Sequence, residues 1–322
     1  MQAAVQHGLT GVHDAGISLA ELQRYRRLAD RGAMPLRIYA MADGNGAALE
    51  SLCANGLYRH ASGRLQMRAV KLYADGALGS RGAAMLEDYS DDHGNRGLLL
   101  MSAQELADAA AKARRCGVQA ATHAIGDRGN RLTLDTYAKA LGADTAGDHR
   151  WRVEHAQILS LADLSRFAGM QVIASMQPTH ATSDMPWAQD RVGPERIVGA
   201  YAWRQLRDSG ARLALGSDFP VERVDPRLGL ASAVTRADAD GLPVGGWYPN
   251  EKLTAYEALR GFTLDAAYAG FAEAEVGSLQ AGKRADFVVL AEDPLAVPGA
   301  ELRALTVLAT YVDGQPVYEA TG

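Results

Sequence analysis

Short apolar runs alternate with amphipathic helical patterns along most of this chain. The candidate strands are "TGVHD" (10–14), "LRIYAM" (36–41), "RAVKLY" (68–73), "VQAATH" (118–123), "WRVEH" (151–155), "QVIASM" (171–176) and "RLALGSD" (212–218). Helical periodicity fills most of the gaps between them. It is clearest in "SAQELADAAAKARRCG" (102–117), where Ser102 is placed to cap, Glu105 to complete a capping box and Gly117 to end the helix. Strands alternating with helices imply a parallel sheet with crossover connections. That leaves two architectures, an open doubly wound sheet and a closed (β/α)8 barrel. No Gly-x-Gly-x-x-Gly follows the first strand, and "GDRGNR" (126–131) lacks the spacing, which weakens the dinucleotide-binding version.

The pattern changes after a helical stretch at about 254–270. "ADFVVLA" (285–291) and "VLATYVDGQPVYE" (307–319) read as strands, the second with a hairpin signal at Asp313-Gly314. The tail reads as part of a small β domain, with the boundary near 271–276. At the other end, "MQAAVQHGLTGVHDAG" has neither the basic nor the apolar region of a signal peptide. It reads as the end of a helix, a cap at Gly8 and a strand at Thr10–His13. A chain starting so is expected to be a fragment of a longer protein or to have had its start placed too late.

Composition narrows the field only modestly. The chain has 322 residues, 48% of them hydrophobic, and a formal net charge of -5. That balance argues against nucleic acid or an anionic membrane as the main partner, and no apolar run approaches the ~18 residues of a membrane span. The arginines of "ELQRYRRLADR" (21–31) suit a solvated helix face. Cys53 and Cys116 lack zinc-site spacing, and a disulfide is not expected in a chain of this size. Core packing is the expectation for Cys116, just before Gly117.

The chemistry lies at the strand ends. Lys71 interrupts the apolar run of its strand, where desolvation could lower its pKa by up to ~3–5 units. The bland reading is that it snorkels to the wet end of the strand. "VQAATH" ends in His123, "WRVEH" in His155 and "RLALGSD" in Asp218. Singly, each histidine reads as a core residue and Asp218 equally as a helix cap. In a barrel, however, the C-terminal strand ends converge on one mouth. Two histidines, an aspartate and a lysine there suit a divalent metal of zinc type. Glu154 is expected to face opposite to His155. His13, taken as a strand end, is expected to line the pocket or pack.

The motifs "VKLYADGALGSR", "THAIGDRGN", "VEHAQ", "MQPTHATSD", "LGSDFPVE" and "GSLQAGKRADFVVLAEDP" resemble the amidohydrolase superfamily, in the family 3 group that includes N-substituted formamide deformylases. The resemblance runs through nearly the whole chain. It implies an α/β fold, a (β/α)8 TIM-type barrel missing its first strand (residues 1–272, strands two to eight). The C-terminal part of a composite β-sandwich would follow (273–322). It implies a metal-dependent hydrolase of amide-type C–N bonds. Carried over by position, Lys71 would take up carbon dioxide as a carbamate and bridge two metals. His123 and His155 would bind the second metal, and Asp218 would bind the first and act as general base. Zinc is the expected metal. His180, Arg81, Tyr73, Asp127 and Trp187 lie in segments expected at the mouth and are candidate substrate contacts.

The family's first strand ends in His-x-His, which occurs nowhere here. The chain alone is therefore expected to fall short of a binuclear enzyme. Two alternatives stay open: a non-catalytic remnant that binds a small ligand or partner, and a single-metal deaminase, which would not need Lys71. The expected partner is a small-molecule substrate, with no nucleic acid or membrane partner; a homo-oligomer is left open. Compartment is also open, cytoplasmic by default and exported if a leader lies upstream.

Overall fold

The computed structural model describes residues 1–321. Its strands are β1 (Gly11–Ile17), β2 (Arg37–Asp43), β3 (Tyr58–Arg59), β4 (Leu65–Tyr73), β5 (Gln119–Ala124), β6 (Arg152–His155), β7 (Ile173–Met176), β8 (Leu213–Leu215), β9 (Phe287–Leu290), β10 (Val307–Val312) and β11 (Gln315–Glu319). The main sheet runs β1-β2-β4-β5-β6-β7-β8, with β3 as an antiparallel appendage on β4. Every pair along the main path is parallel. All seven strands anticipated from the sequence are present, and the doubly wound alternative falls because this sheet is curled. Arg152 on β6 reaches His13 on β1 at 2.8 Å, although three strands separate them in the sheet. Among the described residues, no strand pairs with the outer edge of β1 or of β8.

Strand alternation sorts side chains between the inside of the curl and the helix layer. On β4, Val70 and Leu72 join the large cluster with the helices, while Ala69 packs inside with Tyr39, Met41 and Ala121. Lys71 shares the parity of Ala69. His13 is mid-strand, because pairing with β2 continues beyond it to Ile17. Its ring packs on Tyr39 rather than ending a strand. The capping box of helix Ala103–Arg115 forms as the sequence implied.

The anticipated helix at 254–270 is two helices, Ala255–Phe262 and Leu264–Ala269, broken at Thr263 (φ -121°, ψ -90°). Residues 269–270 then cross the floor of the curl. Gln119 donates to the Ala269 carbonyl and Gln66 to that of Gly270, each at 3.0 Å. Gly270 suits this path because a Cβ there would lie 2.8 Å from His13 Nε2. The small antiparallel sheet β11-β10-β9 docks on helix Gln2–Gln6, where Thr310 Oγ1 donates to the Val5 carbonyl at 2.7 Å. Arg37 of β2 also grips Asp286, at 2.6 and 2.8 Å.

One expectation is overturned. Cys53 and Cys116 are joined by a disulfide, with Cα atoms 5.0 Å apart. The bond ties the last turn of helix Ala47–Asn55 to the C-cap of helix Ala103–Arg115. These helices are neighbours only once the sheet has formed, so spacing along the chain could not reveal the pairing. The sequence separation is 63 residues, and a loop that long loses about 4 kcal/mol of denatured-state entropy on the chain-entropy account. Replacing both cysteines by serine is expected to lower the urea midpoint accordingly, and reductant should lower it only in the wild type.

Candidate metal centre

Lys71 is buried, at 5% exposure, and does not snorkel out. Its ammonium nitrogen lies over the Tyr73 ring, 4.8 Å from the centroid, and Tyr73 in turn donates to Asp43 at 3.1 Å. Burial pushes the Lys71 pKa below that of an ordinary lysine, against the pull of the Glu154, Asp218 and Asp43 carboxylates.

Residues of β6 break simple alternation. Arg152 and Glu154 both point into the curl and form a bidentate pair at 2.6 and 2.9 Å. Parity alone would turn His155 outward. Its backbone instead takes φ 77°, followed by Ala156 at φ 45°, a left-handed conformation that costs about 1–3 kcal/mol and clusters at functional sites. The reversal brings the imidazole to the mouth. The expectation that Glu154 faces away from the site is thus corrected: both residues face inward, because His155 does not continue the pleat.

The His155 tautomer follows from its neighbour. Nδ1 lies 2.8 Å from Gln177 Oε1, and Gln177 Nε2 donates to the Ser175 carbonyl at 3.3 Å. The amide oxygen therefore faces the ring, Nδ1 carries the proton, and Nε2 keeps its lone pair. His180, on helix Pro178–Asp184, stacks on His155 with centroids 5.8 Å apart and planes at 16°. Its Nε2 is buried without a hydrogen-bond partner and lies 3.8 Å from Asp218 Oδ2. Ligand atoms of His155, His180 and Asp218 all fall within 4.8 Å of one another.

Asp218 stands beyond β8 at φ 58° and caps no helix; Asp225 caps the next one. His123 lies just outside the trio. Its ring meets that of His155 at 4.5 Å, while its Nε2 lies 3.4 Å from the Gly76 carbonyl and 3.6 Å from Asp75. Burial drives His123 and His180 down to about 4, and His155 well below the ordinary histidine value. Burial raises Asp218 to about 6, with the Lys71 charge opposing it. Neutral imidazoles with free lone pairs beside a carboxylate fit a divalent cation. Two nitrogens and one oxygen are the protein share of a catalytic zinc site, which keeps a position open.

Other expected contacts sit around this group. Arg81 holds Asp91 through two bonds at 3.0 and 2.9 Å. Asp127 accepts from the Leu86 N–H at 2.7 Å, and Trp187 packs over Gly79. Among the described residues, none of these three hydrogen-bonds to the trio. Asp75, in the turn that follows β4, lies 3.6 Å from His123 Nε2. Its buried carboxylate accepts from the N–H groups of Ala84, Ile125 and Gly126 at 2.8–2.9 Å. Gln177, two positions beyond Ser175 on β7, acts through its contact with His155, which the strand-end pattern does not single out. Because outer partners typically govern 10–100-fold of metal affinity, Gln177→Leu is expected to weaken Zn²⁺ binding by about that factor, as read by competition with a chelating dye.

A curled parallel sheet whose histidines and carboxylate meet at the strand C-termini defines a (β/α)-barrel-type protein with a candidate metal centre. The profile described as the amidohydrolase family matches residues 1–318, and the chain belongs to that family, in its family 3 group. It is 34% identical over 97% of its length to YtcJ of Bacillus subtilis (strain 168), covering 59% of that protein. It is 32% identical over 98% of its length to an N-substituted formamide deformylase of Arthrobacter pascens, covering 58% of it. Among solved structures, an uncharacterized metal-dependent hydrolase from Pyrococcus horikoshii OT3 superposes with a TM-score of 0.81 at 30% identity. That match takes in 91% of this chain and 58% of the other. The chain thus spans under two thirds of the length of these relatives.

Proposed function

We propose that this chain carries the reaction centre of a metal-dependent hydrolase that cleaves the C–N bond of a small amide-type substrate. The observation that carries this reading is the buried, unpartnered His180 Nε2, 3.8 Å from Asp218 Oδ2, with ligand atoms of His155, His180 and Asp218 within 4.8 Å of one another. His155, His180 and Asp218 would hold the cation, with His123 and Lys71 beside them. Zinc is favoured by the nitrogen–oxygen donor set. When bound, such a cation polarises the carbonyl and makes water more acidic.

Asp218 is positioned to take a proton from the attacking water and return it to the leaving nitrogen. A C–O bond forms, the C–N bond breaks, and the products are a carboxylic acid and an amine. Burial shifts Lys71 toward the free amine that carbamate formation requires, against the pull of the neighbouring carboxylates. Addition of carbon dioxide at Nζ, with loss of one proton, would give an oxygen ligand in place of an ammonium. The likeness to an N-substituted formamide deformylase supports an N-formyl or N-acyl amine as substrate.

The test is to measure bound metal and hydrolysis of an N-formyl and N-acyl amine panel for the wild type and for Lys71→Ala. The variant should lose hydrolysis while the cation on His155, His180 and Asp218 stays bound, and it should regain part of the rate with an added short-chain carboxylate. Full rate in Lys71→Ala would overturn the role of Lys71. A wild type that binds no divalent cation would overturn the reading as a whole.

A further inference from the structure

Beneath the candidate centre lies a buried ionic brace that the reaction itself does not use. Arg152 is 3% exposed and Glu154 6% exposed. The guanidinium holds both Glu154 oxygens, donates to Ser175 Oγ of β7 at 3.1 Å, and donates to His13 Nδ1 of β1 at 2.8 Å. One side chain thus spans three strands across the inside of the curl. Glu154 is the last residue of β6 with regular parity; the left-handed reversal begins at the next residue, His155. Lys71, Asp218 and Lys71's neighbour Tyr73 face the same interior from β4 and beyond β8.

A buried ion pair is a poor way to gain stability. Well-packed apolar residues of similar volume are often as stable or more so, whereas removing one partner is strongly destabilising. The location of this pair suggests a geometric purpose. Held inward at both oxygens, Glu154 fixes the end of the regular pleat from which the backbone turns over at His155. The Ser175 bond also fixes β7, two residues before Gln177, which sets the His155 tautomer.

We propose that Arg152 and Glu154 are positioning residues that aim His155 Nε2 into the metal centre; this rests on the reading of that centre given above. The brace sets ring direction through strand β6 and through Ser175–Gln177, and it touches neither substrate nor reacting atoms.

The test compares Glu154→Leu with the double variant Arg152→Met/Glu154→Leu. The single change strands a buried guanidinium and should lower Tm by about 5–15 °C. The double change removes both charges and should recover most of that loss. A brace with only a structural role would then restore Zn²⁺ affinity along with Tm. A positioning role leaves affinity about 10–100-fold below wild type. Zinc affinity and long-range ¹H–¹⁵N spectra of metal-free protein are the readouts. The wild type should show a single Nδ1–H tautomer for His155, and the double variant an average over both ring nitrogens. Wild-type affinity and a single tautomer in the double variant would overturn the proposal. If wild type and variants alike bind no metal, the centre fails, and the tautomer spectra still decide the brace. Should the double variant not fold, Glu154→Gln, which keeps shape but loses the charge, takes its place under the same two readouts.

Discussion

His180→Ala is expected to reduce the affinity of this chain for Zn²⁺ or Co²⁺ by more than about a hundredfold, the largest loss of any single change at the mouth. The sequence placed His180 among the substrate contacts. The structure sets its Nε2 3.8 Å from Asp218 Oδ2 with no hydrogen-bond partner in a buried site. An unpaired buried polar atom is costly to retain, and burial keeps this ring neutral, with its pKa down to about 4. A ligand-ready nitrogen explains both features. Catalytic zinc usually has three protein ligands; without His180, two of the trio remain. The loss should therefore exceed the about 10–100-fold assigned to an outer partner such as Gln177. Metal-linked stabilisation gives a second readout. Added Zn²⁺ should raise the Tm of the wild type and leave that of His180→Ala nearly unmoved. Unchanged affinity, with only KM increased, would return His180 to the role of substrate contact.

Asp75→Ala should be the most destabilising single substitution in the loops that surround the mouth. The carboxylate accepts from three backbone N–H groups, those of Ala84, Ile125 and Gly126, and is fully buried. Each buried donor left without a partner costs about 1–3 kcal/mol, so a loss of at least about 3 kcal/mol is expected. The three amides belong to the loop after β4 and the turn after β5, so Asp75 fastens one to the other beside His123. Urea denaturation measures the global loss. Hydrogen exchange at residues 84, 125 and 126 measures the local one and should rise there first. A midpoint within about 0.5 kcal/mol of wild type would show that these donors find other partners.

Much of this architecture was legible in the linear pattern. Seven apolar runs became seven parallel strands in chain order. The Ser102–Glu105 capping box and the Asp313-Gly314 hairpin formed where their residues stand. Lys71, His123, His155 and Asp218 stood out because polar groups at the ends of apolar runs need a reason. Such features are local. Strand period, helix period, capping and turn chemistry act over a few residues, so the chain states them directly.

The remaining features depend on contacts between segments that the chain itself does not bring together. Glu154 and His155 could not be sorted by parity, because the backbone turns left-handed at His155, whose ring is met by Gln177 beyond the neighbouring β7. The Cys53–Cys116 disulfide required two helices to settle side by side over the sheet. His180 joined Asp218 only when the segments following β7 and β8 met at the mouth. The sequence by itself determined which elements form, their order and which polar residues stand at the strand ends. The tertiary structure alone decided where those side chains point and which of them meet, because curling a sheet brings distant strands together through packing and burial, and no local periodicity encodes that.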